Sequence, residues 1–345
     1  MDGLSIRRRI ALDIARSMRK SQEEEHPLRQ LFWECTLRCN LRCQHCGSDC
    51  KQVAATPDMP KEDFFKVLDS IAAKTDPHKV FVIISGGEPT MRADLEECGK
   101  GIYSRGFPWG LVTNGFGMTA ERFSRLLGAG LHSMTVSLDG LEENHDWLRG
   151  REGSFTRAVE TIRMAVRSGI AFDVVTCVNR RNYSQLPQLK EFLIGLGLKE
   201  WRLFSIFPQG RAALNPDLQL PPEMFRGMLD FIKETRKEGR IKASYGCEGF
   251  LGPYEGDVRD HISIPARPVL LSVPCWLTVR SPPARASVRI ITRATSTRMI
   301  LWMSGSIASN LTVTGAGCGK TTAPTASTGN GARATGCTFA TRTAS

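Results

Sequence analysis

Five of the chain's eleven cysteines fall between residues 35 and 50: Cys35, Cys39, Cys43, Cys46 and Cys50. Three of them form the run Cys39-Asn-Leu-Arg-Cys43-Gln-His-Cys46, tight enough for one loop to bring three thiolates to a single centre. Thiolate ligands select zinc or iron–sulfur clusters. Arg7-Arg8-Arg9 are not followed by the apolar stretch of a secretion signal, so the cluster reads as metal-binding in a reducing compartment, the cytoplasm, rather than as disulfides. A zinc knuckle would take His45 or Cys50 as fourth ligand, but zinc sites usually pair two Cys-x-x-Cys units and no second pair lies nearby. A 4Fe–4S cluster normally takes four cysteines. Three local ones leave one iron open to a chelating small molecule.

From residue 31 to about 212 the sequence alternates short β-rich apolar runs with amphipathic helical stretches. Strands are expected at Leu31–Cys35, Val80–Ser85, Trp109–Thr113, Ser133–Leu138, Phe172–Val178 and Trp201–Ile206. Helices are expected at Lys61–Ala72, Ala120–Leu127, Phe155–Arg167 and Gln185–Leu193. Six strand–helix units predict an α/β fold with a parallel sheet and right-handed crossovers, rolled into a partial or full barrel. Its chemistry is then expected at the C-terminal ends of the strands. Residues 1–29 read as an amphipathic helix (Leu4, Ile10, Ile14, Met18) packing on the main domain, with a membrane-surface helix as the alternative. Residues 30–215 read as the barrel, and 216–260 as a connector whose helix, Glu223–Lys237, follows Pro221-Pro222.

The formal charge of +11 suggests nucleic acid, but its distribution excludes that reading. No Asp or Glu follows Asp260, while Arg267, Arg280, Arg285, Arg289, Arg293, Arg298, Lys320, Arg333 and Arg342 do. The excess sits in an anomalous tail, and the rest of the chain is close to balanced. No apolar run approaches the about 20 residues needed to cross a bilayer. The expectation is no nucleic-acid and no membrane partner.

The Cys-x3-Cys-x2-Cys spacing, with the aromatic His45 before the third cysteine, resembles the signature of the radical S-adenosylmethionine (SAM) superfamily. The resemblance covers roughly residues 30–212, and further elements recur in order. Ser85-Gly86-Gly87-Glu88-Pro89, after the second strand, is similar to the family's GGEP motif, whose backbone and Glu bind the methionyl amine of SAM. Glycines permit close approach, and a carboxylate pairs with an ammonium. Ser137-Leu-Asp139-Gly140 ends the fourth strand where relatives contact SAM; Asp139 reads equally well as a helix cap. His145-Asp146 and Arg149-Gly150 resemble peptide-modifying members, and Arg149 could clamp the SAM carboxylate or simply pair with an acid. Asn114 could face the ribose, and Arg211, in Pro208-Gln-Gly210-Arg211, belongs to the loop that relatives place near adenine. These positions, with Asn179 and Asn182, equally fit turn chemistry.

The resemblance implies a partial (βα)6 TIM-like barrel, a 4Fe–4S cluster on Cys39, Cys43 and Cys46, and SAM as co-substrate. A flavodoxin or ferredoxin would supply the electron, and the substrate would be a peptide or protein. The other readings are a small-molecule enzyme like those starting molybdenum-cofactor synthesis, and a cluster-binding remnant without turnover.

Residues 261–345 lack acids and tyrosine and end in a Thr/Ala/Ser/Arg-rich low-complexity stretch. Gly315-Ala-Gly317-Cys-Gly319-Lys320-Thr321 resembles a phosphate-binding loop, but Thr314 stands where that motif needs its first glycine. The bland reading is a disordered basic tail. The sharper one is a frameshift. Triplets starting at the third base of each codon allow Leu-Ala-Asp-Gly-Ser-Ile-Ser-Ala-Cys-Pro across Cys275–Arg285. The same frame allows Cys-x-Ala-Gly across Pro265–Val269, and Arg-Lys-Asp-Asp-Cys-x-x-Cys across Cys318–Ala326. These pieces resemble the SPASM extension of radical SAM peptide maturases, which binds auxiliary iron–sulfur clusters. The tail is thus expected to be aberrant and largely disordered, with its junction just after Asp260.

Overall fold

Runs such as Phe81-Val-Ile-Ile-Ser85 and Trp109-Gly-Leu-Val-Thr113 carry the branched and aromatic side chains that suit a pleated, two-sided buried strand. In the computed structural model they become the middle of a parallel sheet. The structure describes residues 28–55, 57–247 and 251–260, helical positions among residues 6–17, and the backbone of three strands beyond residue 274.

Seven parallel strands follow one another in sequence order: β1 (Gln30–Glu34), β2 (Phe81–Ser85), β3 (Trp109–Thr113), β4 (Leu131–Ser137), β5 (Ala171–Val178), β6 (Glu200–Ser205) and β7 (Lys242–Tyr245). Between them run α1 (Lys61–Ala72), α2 (Leu95–Tyr103), α3 (Ala120–Gly128), α4 (Glu142–Arg149), α5 (Ser154–Ser168), α6 (Leu186–Gly195) and α7 (Pro222–Glu238). Registers such as Phe32↔Ile83, Ile84↔Leu111 and Val136↔Val174 stack apolar residues across the sheet. The core lies under the helices and includes Trp33, Phe64, Trp109 and Trp201, all fully buried. Trp33 stacks on Phe64 with ring centroids 3.9 Å apart. The Trp201 indole N–H donates to Thr176 Oγ1 (2.8 Å), which satisfies its one buried polar atom.

The six expected strands are all present, each displaced by no more than two residues at either end. The seventh, β7, lies in the stretch assigned to the connector; at four residues it was too short for a period-two pattern to stand out. α2 and α4 were also not foreseen. The first contains Gly99 and Gly101, and the second is a polar eight-residue segment. Residues Ile6, Ile10 and Ile14 lie at helical positions and are 76%, 54% and 56% exposed; most of residues 1–27 lies outside the described residues.

Beyond Asp260 the described backbone forms β8 (Cys275–Ser281), β9 (Ala286–Thr292) and β10 (Thr312–Gly315), with β9 antiparallel to β1. These strands depart from a wholly structureless tail; they coincide with Val/Ile/Thr-rich segments, and the free edge of β1 takes up β9. The expectation of disorder for the other residues of 261–345 lies outside the described residues.

Removing the Trp201 side chain should destabilise the barrel by about 3–5 kcal/mol, because a large buried ring leaves a cavity and the Thr176 hydroxyl, which still donates to the Leu138 carbonyl, loses its donor. Urea unfolding of Trp201→Ala against the parent chain measures this.

Candidate active site

The cysteine loop leaves β1 with only a bridge between Arg38 and Lys51, closed by Cys39 N–H donating to the Lys51 carbonyl (2.8 Å), so most of its shape depends on what it touches. Three separate elements grip it. From the β2 side, the Gly87 N–H donates to the Thr36 carbonyl (2.8 Å) and the Glu88 N–H to the Arg38 carbonyl (2.9 Å). From α4, the Leu148 and Arg149 carbonyls accept the N–H groups of Gln44 (2.8 Å) and Arg42 (3.2 Å), and the Trp147 carbonyl accepts Gln44 Nε2 (2.8 Å). From the loop after β6, the Arg211 N–H donates to the Cys46 carbonyl (2.9 Å), and its guanidinium reaches the carbonyls of Cys43 (2.8 Å) and Cys50 (3.0 Å) and the carboxylate of Asp49 (2.7 Å).

The glycine pair is explained by this grip. A Cβ on Gly86 would sit 2.3 Å from the Thr36 carbonyl oxygen, and one on Gly87 2.3 Å from that of Arg38. Gly86 also has φ +139°, a conformation L-residues rarely adopt. Close approach here is first to the cysteine loop itself.

Glu88 is 1% exposed, and its carboxylate is committed within the protein. Oε1 accepts from Thr90 N–H (3.1 Å), Thr90 Oγ1 (2.7 Å) and Thr113 Oγ1 (2.7 Å), and Oε2 accepts from Asn114 N–H (2.7 Å). These contacts tie the β2 loop to the end of β3. Pro89 opens the short 3₁₀ turn Pro89–Met91 that this carboxylate caps.

Asn114 turns to the cysteine loop, donating to Asn40 Oδ1 (2.8 Å) and lying 3.9 Å from Cys39 Sγ, rather than standing free for a ribose. Arg149 Nη1 lies 3.8 Å from Cys43 Sγ, and its Nε meets Asp139 Oδ2 at 2.7 Å. Arg149 thus pairs with a buried acid. Asp139 caps no helix, since α4 begins after Leu141; its Oδ1 accepts the Cys177 N–H (2.8 Å), and its own N–H donates to His145 Nδ1 (3.0 Å). Ser137 is buried at the end of β4 beside this group. Asn179 and Asn182 do turn work: Asn182 Oδ1 accepts the Asn179 N–H, and its Nδ2 holds the carbonyls of Asp139 and Cys177. Cys177 was not singled out from the sequence. Its ligand atom lies within 4.8 Å of those of His45 and Asp139, and its position near the end of β5 was the available signal.

The electrostatics follow from burial and these neighbours. Burial pushes the Cys39 thiol up to about 12, and raises Cys43 against the pull of Arg149. The Cys46 thiol is held down to about 5, chiefly by the Cys50 thiol donating to it; Cys50 is correspondingly raised. Burial lowers His45 and His145 to about 4, so both rings are neutral at pH 7. Burial alone would raise Asp139, but Arg149 and then the two histidines outweigh it, and the carboxyl is held below its ordinary range. Burial would lower Arg149, but Asp139 and Cys43 keep it charged.

The donor set fits an iron–sulfur cluster: three free thiols on one loop, with cationic and amide donors aimed at two of the sulfurs. It fits SAM as well. His45 Nδ1 and His145 Nε2 lack hydrogen-bond partners beside the thiols, and the β2 loop brings its backbone to the same place.

A model of the radical SAM superfamily matches residues 33–193. An AdoMet-dependent heme synthase of Methanosarcina barkeri is 29% identical over 220 residues, 64% of this chain and 62% of that protein. A PqqA peptide cyclase of Rhizobium meliloti is 26% identical over 217 residues, 63% of this chain and 56% of that one. The chain thus spans about three fifths of the length of these relatives. Among solved structures, Streptococcus suis SuiB bound to S-adenosylmethionine is similar in fold, with a TM-score of 0.54 at 16% identity over 74% of this chain and 60% of that one.

Gly86→Ala should lower stability by about 1–3 kcal/mol from the backbone alone and loosen the cysteine loop. Urea unfolding together with iron bound per chain after anaerobic reconstitution checks this; unchanged iron content would contradict the role given to the pair. Sequence match, strand topology and cysteine loop agree: residues 33–193 match the model of the radical SAM superfamily, and the fold is shared with SuiB.

Proposed function

We propose that the chain is a radical SAM enzyme that takes a hydrogen atom from a peptide or protein substrate. The observation that carries the chemistry is that Cys39, Cys43 and Cys46 share one loop, gripped from three sides and packed in one cluster. When bound, the cluster and SAM together supply a 5′-deoxyadenosyl radical at the cost of one electron, which a flavodoxin- or ferredoxin-like reductant would provide. The chain's own residues hold, orient and neutralise. The thiolates of Cys39, Cys43 and Cys46 would hold the cluster. Asn114 and Arg149 donate toward the sulfurs of Cys39 and Cys43 and offset their charge. Gly86 and Gly87 offer backbone to the ligand, with Glu88 and Pro89 fixing that loop in place. Ser137 and the Asp139–Arg149 pair line the far side, and Arg211 fixes the end of the cysteine loop. No residue of the set need act as general acid or base.

The peptide class is supported by the PqqA peptide cyclase relative and by the fold shared with SuiB, which has also been solved bound to its precursor peptide SuiA. A tetrapyrrole is the competing small-molecule substrate, favoured by the similarity to heme synthases. After anaerobic reconstitution and reduction with dithionite, the parent chain should release 5′-deoxyadenosine. Cys39→Ala, Cys43→Ala and Cys46→Ala should each reduce that release by at least about a hundredfold. Deuterium passing into 5′-deoxyadenosine from a labelled candidate peptide, and not from an iron porphyrin, identifies the substrate class; the reverse would overturn it. A chain that binds the cluster and never cleaves SAM would be a remnant.

We further propose that residues beyond about 262 are a shifted reading of an auxiliary-cluster domain. The absence of every acid after Asp260 supports this, since a random frame keeps no selected charge balance. Resequencing the gene should reveal a frame restoring the Cys-x-x-Cys piece after Asp260; a single uninterrupted frame encoding the present tail, with no such alternative, would sink the idea.

A further inference from the structure

The chemistry above uses three thiols of the cysteine loop and leaves a fourth. Cys50 is 4% exposed and packs with Cys39, Leu41 and Cys43 in one buried cluster, which Cys46 adjoins. Its thiol is in hydrogen-bonding contact with that of Cys46, four residues earlier. The backbone is shaped to bring it there. Asp49 has φ +48°, the one residue other than glycine in the left-handed region among the described residues, and it folds the chain back after Gly47 and Ser48. Arg211 holds this turn: its guanidinium reaches Asp49 Oδ1 (2.7 Å) and the Cys50 carbonyl (3.0 Å), and its N–H donates to the Cys46 carbonyl (2.9 Å). One residue further on, the Lys51 carbonyl accepts the Cys39 N–H (2.8 Å), so the loop closes with Cys39 and Cys50 at its neck. Four thiols gathered by one closed loop are the donor set of a 4Fe–4S cluster, whereas SAM needs one iron free of protein.

We propose that Cys50 is an exchangeable fourth ligand, which closes the cluster while SAM is absent and gives up its iron to the amino and carboxylate groups of SAM. This rests on the cluster site proposed above and adds a residue to it. A thiolate held by one bond competes with a two-point chelator, and the exchange moves no electron: the Cys50 iron–sulfur bond breaks and its sulfur takes a proton from solvent. The turn between Cys46 and Cys50 is exposed at Gly47 and Asp49, which leaves it room to widen. The gain is protection. An iron capped by a buried sulfur is closed to water and oxidants until the co-substrate arrives. The plain alternative is that Cys50 only packs, as buried free cysteines do, in which case its loss leaves the fourth iron unchanged.

The full chain, Cys50→Ala and Cys50→Ser are to be reconstituted anaerobically, their iron counted, and the oxidised cluster treated with ferricyanide with and without SAM. Electron paramagnetic resonance follows loss of the fourth iron as the three-iron signal grows. Without SAM, both variants should lose that iron at least about tenfold faster than the parent chain, and SAM should protect them. Radiolabelled SAM should bind both variants at least about tenfold more tightly, because in the parent only the fraction with Cys50 released is competent to bind. Parent-like iron loss in both variants, or SAM binding no tighter than the parent's, would overturn the proposal. So would failure of both variants to take up four irons, since Cys50 would then be a fixed part of the site. A parent chain that takes up no cluster would overturn the proposed function as well. A parent that releases 5′-deoxyadenosine while the variants match it in iron loss and SAM affinity would overturn the role of Cys50 alone.

Discussion

The site depends on a stretch of chain that scarcely holds its own shape. Three thiolates on one short loop repel one another, and the loop after β1 has only the single bridge between Arg38 and Lys51 to resist that repulsion. Its shape is imposed by backbone hydrogen bonds from the β2 loop, from the C-terminus of α4 and from the loop after β6. Those elements belong to different strand–helix units. The loop can exist only if the sheet places β1, β2, β4 and β6 in their observed order, so the metal site reports on the whole barrel. The carbonyl ends of α4 contribute twice: their unpaired oxygens are satisfied by N–H groups of the loop, and in return fix its register.

Glycine makes these contacts possible. At Gly86 and Gly87 a side chain would overlap the carbonyls of Thr36 and Arg38, as it would at Gly150, where α4 ends with φ +65° and a Cβ would lie 2.7 Å from the Arg42 carbonyl. A motif often read as a bare backbone for a ligand is here, first, a bare backbone for another loop. Glu88 belongs to the same logic. Buried and accepting four hydrogen bonds, it links β2 to β3 and so keeps the glycine loop pressed on the cysteines.

The barrel was legible where burial on both faces forces uninterrupted apolar runs, as in β2 and β3, and where helices carry a clear apolar stripe, as in α1 and α5. It was not legible at β7, whose four residues are held by pairing with β6 rather than by any pattern of their own. Within the site, the cysteine spacing and the glycine pair could be read locally because both functions are local. The partners of Glu88, Asn114 and Arg149 could not. Glu88 meets Thr113 and Asn114 some 25 residues on, and Arg149 reaches Cys43 across 106 residues. Side chains of these types also make turns and caps, and only the tertiary register decides between the uses.

The Asp139–Arg149 pair carries the highest electrostatic stakes of the site. Taking both charges out of water costs several kcal/mol unless their hydrogen bonds are completed. Asp139 Oδ1 is satisfied by the Cys177 N–H, but Oδ2 and the Arg149 Nε meet at 2.7 Å without the alignment of a hydrogen bond, and His45 Nδ1 and His145 Nε2 have no hydrogen-bond partner. Thr176 with Trp201 is paired off, while Trp33 Nε1, Gln185 Oε1 and Gln219 Nε2 lack hydrogen-bond partners elsewhere in the described fold. Asp139 and Arg149 stand out because both carry charge, and the guanidinium is also drawn toward Cys43. A thiolate-held cluster supplies Arg149 with a permanent anion, and a ligand with an ammonium, a carboxylate and ribose hydroxyls supplies the rest. The same low-dielectric surroundings that make such a pair costly alone would strengthen its interactions with a charged, many-handed ligand.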